Sequence, residues 1–377
     1  MTTRRRLSIV ALLLVLAAVV GYCYSRPRCE KCEIHPPEEL QLTGLRSLEL
    51  VQAEIRLRLQ GQHGTSEFAQ SLRRFSTDQL IAAVFRARAI YGDDNRVDPA
   101  DRWFIARGVR RNVEATVAMV HCAHFTPGCT AEAATVYELA APANAQTGGL
   151  CCQERFSQQV SLASCTGFLI APNKVATARH CVKTNEQLGQ LYFVFGFAKS
   201  FFGKIPTRYV HRETLFKPVA IHRSCPDDNR DWAIVTLDHD VPPDHEPVSL
   251  GDGKPGVETE LYSLGHPFGL PVKYTSNAFV RPRGEDNFFV ANLDGLDGSS
   301  GSPVFDAATH RVQGIWVRGE KTLADTSCAC KLPLPCPADQ CKGEEVSRIH
   351  FLGKEGQAPD SDPKIPCRSS AVVAPHL

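Results

Sequence analysis

Cys165-Thr-Gly-Phe-Leu-Ile-Ala-Pro-Asn-Lys-Val-Ala-Thr-Ala-Arg-His180-Cys181 reads as two apolar β-runs folded about an Ala-Pro-Asn turn, with a histidine just past the second run. Proline presets the backbone of a turn and asparagine tolerates its tighter conformations, so the two runs are predicted to pair as a hairpin. Short apolar runs of the same kind recur on either side, at Ala115–Val120, Gln159–Ala163, Thr166–Ile170, Leu191–Phe197 and Trp232–Leu237. Gly, Pro, Asn and Asp clusters separate them, which predicts an antiparallel barrel or sandwich rather than alternating β-α units. The 27 Gly and 25 Pro of the chain fit that many turns.

The chain has 377 residues, 43% hydrophobic and 22% charged, which excludes disorder, collagen and coiled-coil rods. Its 42 Lys+Arg against 41 Asp+Glu leave a net charge of +1, with no electrostatic footprint for nucleic acid or an anionic membrane. Fifteen cysteines point to an oxidising compartment. Arg4, Arg5 and Arg6 precede an apolar run from Leu7 to Val20, the pattern of a signal peptide and short for a bilayer-spanning helix. Residues 1–25 are therefore read as a signal peptide or N-terminal anchor, with any membrane anchoring through residues 7–20, and the chain as secreted or held in the periplasm or cell envelope.

Residues 26–89 read as a linker followed by an amphipathic helical extension. Pro27, Pro36 and Pro37 surround Cys29 and Cys32, a pair better suited to a disulfide than to a redox or metal site in an exported chain. Leu45, Leu48, Val51, Ile55 and Leu59 fall at helical spacing, and Ser76 with Gln79 forms the signature of a capping box for a second helix. This extension is a structural cap by default, with an inhibitory contact on the rest of the chain as the sharper reading. Residues 351–377, with Pro359, Pro363 and Pro366, are predicted to be an extended tail.

Two further segments join the hairpin. Asp231-Trp-Ala-Ile-Val-Thr-Leu-Asp238 places an acid at the opening of a buried strand, and Gly298-Ser-Ser300-Gly-Ser-Pro303 is a glycine-flanked serine before the apolar Val304-Phe305. Singly, each is ordinary: a turn serine, a core histidine, a capping aspartate. Together, in the order His, Asp, Ser, they resemble the catalytic neighbourhoods of the trypsin-like (chymotrypsin-fold) serine peptidases. Ser302, where animal enzymes usually carry Gly, is closer to the bacterial branch near the glutamyl endopeptidases. Ile90-Tyr-Gly-Asp-Asp-Asn-Arg96 resembles the start of the mature domain in that branch. The likeness runs over residues 90–350, the domain it marks out.

The resemblance implies an all-β fold, a double Greek-key β-barrel, here with an N-terminal helical extension and a cysteine-rich C-terminal segment. It implies a secreted or envelope serine endopeptidase acting on a polypeptide substrate through an acyl-enzyme, with no cofactor and no metal. Ser300 is the matched nucleophile, His180 its base and Asp231 the acid that orients the imidazole. Gly298 and Ser300 match the oxyanion hole. Cys165 and Cys181 match the family's disulfide beside the histidine. Val317, Arg318 and Gly319 match the entrance of the pocket for the P1 residue, the one preceding the cleaved bond. Asp294 lies where trypsin carries the acid that selects Arg or Lys, so the P1 preference is read as Arg/Lys, with Arg318 as an argument for Glu/Asp instead. Ser299 stands where animal enzymes have the Asp that captures a newly freed N-terminus, so activation through that ion pair is not expected.

The rival reading is a catalytically inactive trypsin-fold binding module. A zinc reading also exists: Cys328, Cys330, Cys336 and Cys341 are clustered, and Cys122 and Cys129 lie near His121 and His124. Export and the surrounding prolines favour disulfides in both places. His266, in Leu264-Gly-His-Pro-Phe-Gly-Leu-Pro271, is better read as a turn residue than a metal ligand.

Overall fold

The computed structural model describes residues 50–80, 94–126, 136–139, 150–199, 209–224, 230–319, 323–325, 330–333, 342–350 and 371–372, apart from scattered positions within these ranges. The signal-like segment 1–25, the Cys29–Cys32 pair and most of the 351–377 tail lie outside them. No helix among the described residues is long and apolar enough to cross a membrane.

The hairpin forms as read. After β1 (Thr116–His121), β2 (Ala163–Ala171) turns through Pro172 and Asn173 into β3 (Lys174–Thr177), with Ala171 opposite Lys174 and Gly167 opposite Thr177. β4 (Leu191–Phe195), β5 (Leu215–Phe216), β6 (Pro218–Arg223) and β7 (Ala233–Leu237) complete the first sheet. Its order is residues 371–372, β6, β7, β3, β2, β1, β4, β5, and it curls into a nearly closed barrel. Phe168, Val175, Phe193, Phe216 and Trp232 fill its interior. β-branched and aromatic residues alternate there with small ones, the composition that suits a pleated, curled sheet.

The second barrel is closed. β8 (Glu260–Gly265), β9 (Lys273–Glu285), β10 (Phe288–Ala291), β11 (Pro303–Asp306), β12 (Val312–Arg318) and β13 (Glu344–Arg348) join in the order β8, β9, β10, β13, β12, β11 and back to β8. The all-β double barrel expected from the sequence is the observed architecture. One apolar cluster runs through both barrels, with Tyr262, Leu264, Phe305 and Ile315 of the second packed on the core of the first. Helix α1 (Arg107–Glu114) leads into β1 and is anchored by buried Asn112, whose Nδ2 donates to Tyr262 Oη at 2.8 Å.

One expected strand is absent. Gln159–Ala163 is a turn and bridge up to Leu162, and the strand begins only at Ala163. The side chain of Gln159 explains it: Nε2 donates to Asp98 Oδ2 at 2.8 Å and Oε1 accepts from Lys273 Nζ at 2.7 Å, a polar tie that takes the place of pairing along that run.

In the extension, helical turns occupy parts of residues 50–58, and Val51 and Ile55 are buried. The capping box is formed, with Gln79 N donating to Ser76 Oγ and Ser76 N donating to Gln79 Oε1. Arg58 ties the helix to the next turn by donating to the carbonyls of Leu72 and Phe75. Buried Glu54 is held inside the same segment, by Arg58 Nε at 2.7 Å and the N–H of Gly64 at 2.8 Å.

Candidate active site

β3 ends at Thr177, and the chain enters a short 3-10 turn, Arg179–Val182, that holds His180 half-exposed at the barrel's edge. Asp231 comes from the start of β7, the strand paired with β3 (Ala233 opposite Thr177), so sheet register carries the acid to the histidine. Asp231 Oδ2 lies 2.7 Å from His180 Nδ1, and Oδ1 accepts the backbone N–H of His180 at 3.0 Å. Burial alone would raise the Asp231 pKa, but the hydrogen bonds and charge of His180, with Arg179 beside it, hold it below the ordinary aspartate value. The carboxylate is thus ionised and bound to one edge of the imidazole, leaving Nε2 as the ring nitrogen able to take a proton.

Ser300 sits on the loop between β10 and β11 in the other barrel. Two contacts tie it to the wall that carries His180. The N–H of Thr166 on β2 donates to the Ser300 carbonyl at 2.8 Å, and Cys181 Sγ lies 3.8 Å from the same oxygen. The second is a packing contact, because a disulfide joins Cys181 to Cys165 and its sulfur carries no proton. Thr166 also donates its hydroxyl to the Gly298 carbonyl at 3.0 Å and accepts the N–H of His266 at 3.0 Å. Among the described residues no hydrogen bond joins the Ser300 hydroxyl to the His180 ring; such bonds are commonly long in the absence of substrate and tighten on binding.

Gly298 has φ +95°, and a Cβ there would lie 2.6 Å from the His266 carbonyl, so the loop takes this shape only with glycine. The neighbouring N–H groups are engaged, Ser299 N on Leu296 O within the loop and Gly301 N on Trp316 O of β12. Among the described residues none accepts from the N–H of Gly298 or of Ser300. Unengaged backbone N–H groups are what an oxyanion site requires.

Residues 165–315 match the model of the trypsin-like peptidase domain. The chain carries a trypsin-like serine peptidase domain. No curated protein matches the chain. Among solved structures, a Glu endopeptidase is 16% identical, with 69% of this chain and 93% of that chain covered and a TM-score of 0.41. The active form of the Rv3671c protease from M. tuberculosis is 17% identical, with 66% and 82% covered and a TM-score of 0.37. The VesB protease of Vibrio cholerae is 14% identical, with 69% and 65% covered and a TM-score of 0.40.

In this peptidase domain a cavity of about 320 Å³ opens beside Ser300, lined by Gly295, Leu296, Asp297, Ser299, Trp316, Val317, Arg318, Gly319 and Glu344. Val317, Arg318 and Gly319, expected at the pocket entrance, are in that lining. Asp294 is not. It lies outside that lining, 1% exposed, and its Oδ2 accepts the N–H of Asn95 at 3.3 Å with the Arg96 charge nearby. The segment Asp94–Val97, bridged to β9 at Tyr274, supplies that N–H. Arg318 does not stand alone at the entrance either: its Nε pairs with Glu345 at 2.9 Å.

Sequence reasoning missed Thr166 and Glu344. For Glu344 a signal existed: it is two residues from Val346 on one strand, hence on the inward face. His266 is fully buried, stacked on Phe197 with Nδ1 2.9 Å from the Leu270 carbonyl, and burial lowers its pKa to about 4. It is the turn residue expected. Cys330, placed in a C-terminal cluster, bonds to Cys151, and Cys122 is also disulfide-bonded. Cys129, Cys328, Cys336 and Cys341 lie outside the described residues.

Proposed function

We propose that this serine peptidase cleaves polypeptides through an acyl-enzyme built by Ser300, His180 and Asp231. Ser300 Oγ attacks the scissile carbonyl as its proton passes to His180 Nε2. Asp231 holds the ring by Nδ1 and stabilises the imidazolium that forms. The N–H groups of Gly298 and Ser300 receive the oxyanion, each worth about 2.7–4 kcal/mol of transition-state stabilisation. His180 returns the proton to the leaving amine as the C–N bond breaks, and the same cycle with water then releases the acid and regenerates Ser300.

The observation that carries this reading is the bond pair between Asp231 and His180, in a wall that Thr166 and the Cys165–Cys181 disulfide tie to Ser300. The P1 residue is Arg or Lys on this reading: the cavity holds Asp297 and buried Glu344, while Arg318 is paired with Glu345. We also read the chain as exported, on the charged and apolar start of the sequence and on disulfides that survive only in oxidising surroundings. Labelling with a fluorophosphonate tests the mechanism. Capture at Ser300, lost in Ser300→Ala along with roughly 10³–10⁶-fold of turnover, is the expected result. Folded protein that takes up no label would overturn the reading.

A further inference from the structure

Glu344 opens β13, and the register that sets Trp316 opposite Val346 and Arg318 opposite Glu345 brings it level with the end of β12. Its side chain faces inward and is 4% exposed, yet it lines the cavity beside Ser300. An inward carboxylate on a barrel strand is costly unless something compensates it. The Trp316 indole supplies part of that: Nε1 donates to Glu344 Oε2 at 2.9 Å and fixes the plane of the carboxylate.

The opposite wall is shaped around the same group. A Cβ at Gly319 would collide with Glu344 Oε2, so glycine at the rim is what lets the carboxylate and the cavity coexist. Two further charged groups, Asp297 and Arg318, line the cavity. Asp297 is exposed, and the Arg318 guanidinium is engaged by Glu345. Asp294 is held by Asn95 behind the lining.

We propose that Glu344, with its orientation set by Trp316, is the residue that selects a cationic P1 side chain. The inference rests on the peptidase reading above and names the group that reads the substrate. A guanidinium or ammonium entering this cavity meets a desolvated, oriented carboxylate, the setting in which charge-assisted and bidentate bonds are strongest. A glutamate or aspartate at P1 meets two negative charges. The acid has the chemical role expected of Asp294 but reaches the cavity from a different strand.

The full chain, purified and assayed with peptides differing only at P1, tests this. Wild type is expected to cleave after Arg or Lys at least 100-fold faster, in kcat/KM, than after Gln. In Glu344→Gln that ratio falls at least 30-fold, while fluorophosphonate uptake still reports an intact Ser300–His180 pair. In Asp294→Asn the ratio stays within about 3-fold. A wild-type measurement guards against misfolded variants: benzamidine slows fluorophosphonate labelling of Ser300 and the neutral benzamide does not. A Glu344→Gln protein that labels yet keeps the wild-type P1 ratio overturns the inference and leaves the peptidase standing, as does equal protection by benzamide. Wild-type protein that fails to label at all removes both.

Discussion

Asp231 commits both carboxylate oxygens to one residue, Oδ2 to the His180 ring at 2.7 Å and Oδ1 to the His180 backbone N–H at 3.0 Å. The acid therefore fixes the ring's tautomer and also the backbone from which the ring projects. Asp231→Asn has one oxygen: kept on the backbone N–H, it leaves an NH₂ group against Nδ1, and the negative charge is gone. The expected loss in kcat is about 10⁴-fold, with KM little changed. Kinetics on a cleaved peptide, with circular dichroism to confirm the fold, check it; a loss below 10-fold would mean His180 works without its partner.

The Thr166 hydroxyl bonds at once to the Gly298 loop and to the His266 turn. Thr166→Val keeps the shape and removes the hydroxyl, leaving a buried N–H on His266 without its acceptor. An orphaned buried group costs about 1–3 kcal/mol. Because the same hydroxyl steadies the Gly298 carbonyl, and so the peptide beside the oxyanion amides, the variant is expected to lose kcat by about tenfold as well as melting temperature. Thr166→Ser should recover most of both. A variant with wild-type kcat would show that the loop holds its shape without this bond.

What the sequence revealed depended on distance along the chain. The β2–β3 hairpin, the His180 turn and the Gly298–Ser300 loop are each written in a few consecutive residues, because local turn chemistry sets them. Register in one sheet then brought Asp231 to His180. Glu344, by contrast, becomes part of the cavity through pairing of β13 with β12, and Asp294 meets Asn95, a residue 199 positions away. Alternation along β13 tells that Glu344 faces inward, but neither long-range meeting has a local signature. Helix α1 was hidden for another reason. Its N-cap, Ala106, makes no side-chain capping bond, and its sequence Arg-Gly-Val-Arg-Arg-Asn-Val-Glu has few apolar residues; Asn112 bonding to Tyr262 and Val109 burying its side chain hold it in place.

Glu154 gives a pH prediction. It is 4% exposed, neither carboxyl oxygen has a hydrogen-bond partner among the described residues, and burial, reinforced by Asp94 and opposed by Arg96 and Arg155, raises its pKa to about 8. In the unfolded chain a glutamate titrates near pH 4.3. The folded state therefore binds the extra proton between those values, and this group's contribution to stability is full below about pH 4.3 and is lost as pH rises toward 8. Glu154→Gln removes that dependence. The variant's stability relative to wild type is expected to improve from pH 5 to pH 8 by about 1–3 kcal/mol, since each tenfold change in proton affinity is worth about 1.4 kcal/mol. Chemical denaturation at the two pH values measures it. Lys273, whose pKa burial lowers to about 8, acts mainly above this range and is common to both proteins. An unchanged gap would show that Glu154 stays ionised beside its arginines.

The two described disulfides should separate stability from activity. Cys151 and Cys330 are 179 residues apart, Cys165 and Cys181 only 16. Loop-closure entropy makes the first worth about 5 kcal/mol and the second about 3 kcal/mol. Their places in the fold run the other way. Cys181 follows His180 and touches the Ser300 carbonyl, and Cys165 precedes Thr166, whereas Cys151 and Cys330 lie beside the bridge between Leu150 and Lys331, where the Cys151 N–H already donates to the Lys331 carbonyl. Removing Cys151 and Cys330 together as alanines is expected to lower the melting temperature more. Removing Cys165 and Cys181 together is expected to lower kcat/KM more, by at least tenfold, because the histidine turn and the serine loop lose their shared anchor. Melting curves and peptide kinetics on the two double variants decide it: if both quantities fall in the same order, the Cys165–Cys181 bridge serves stability alone.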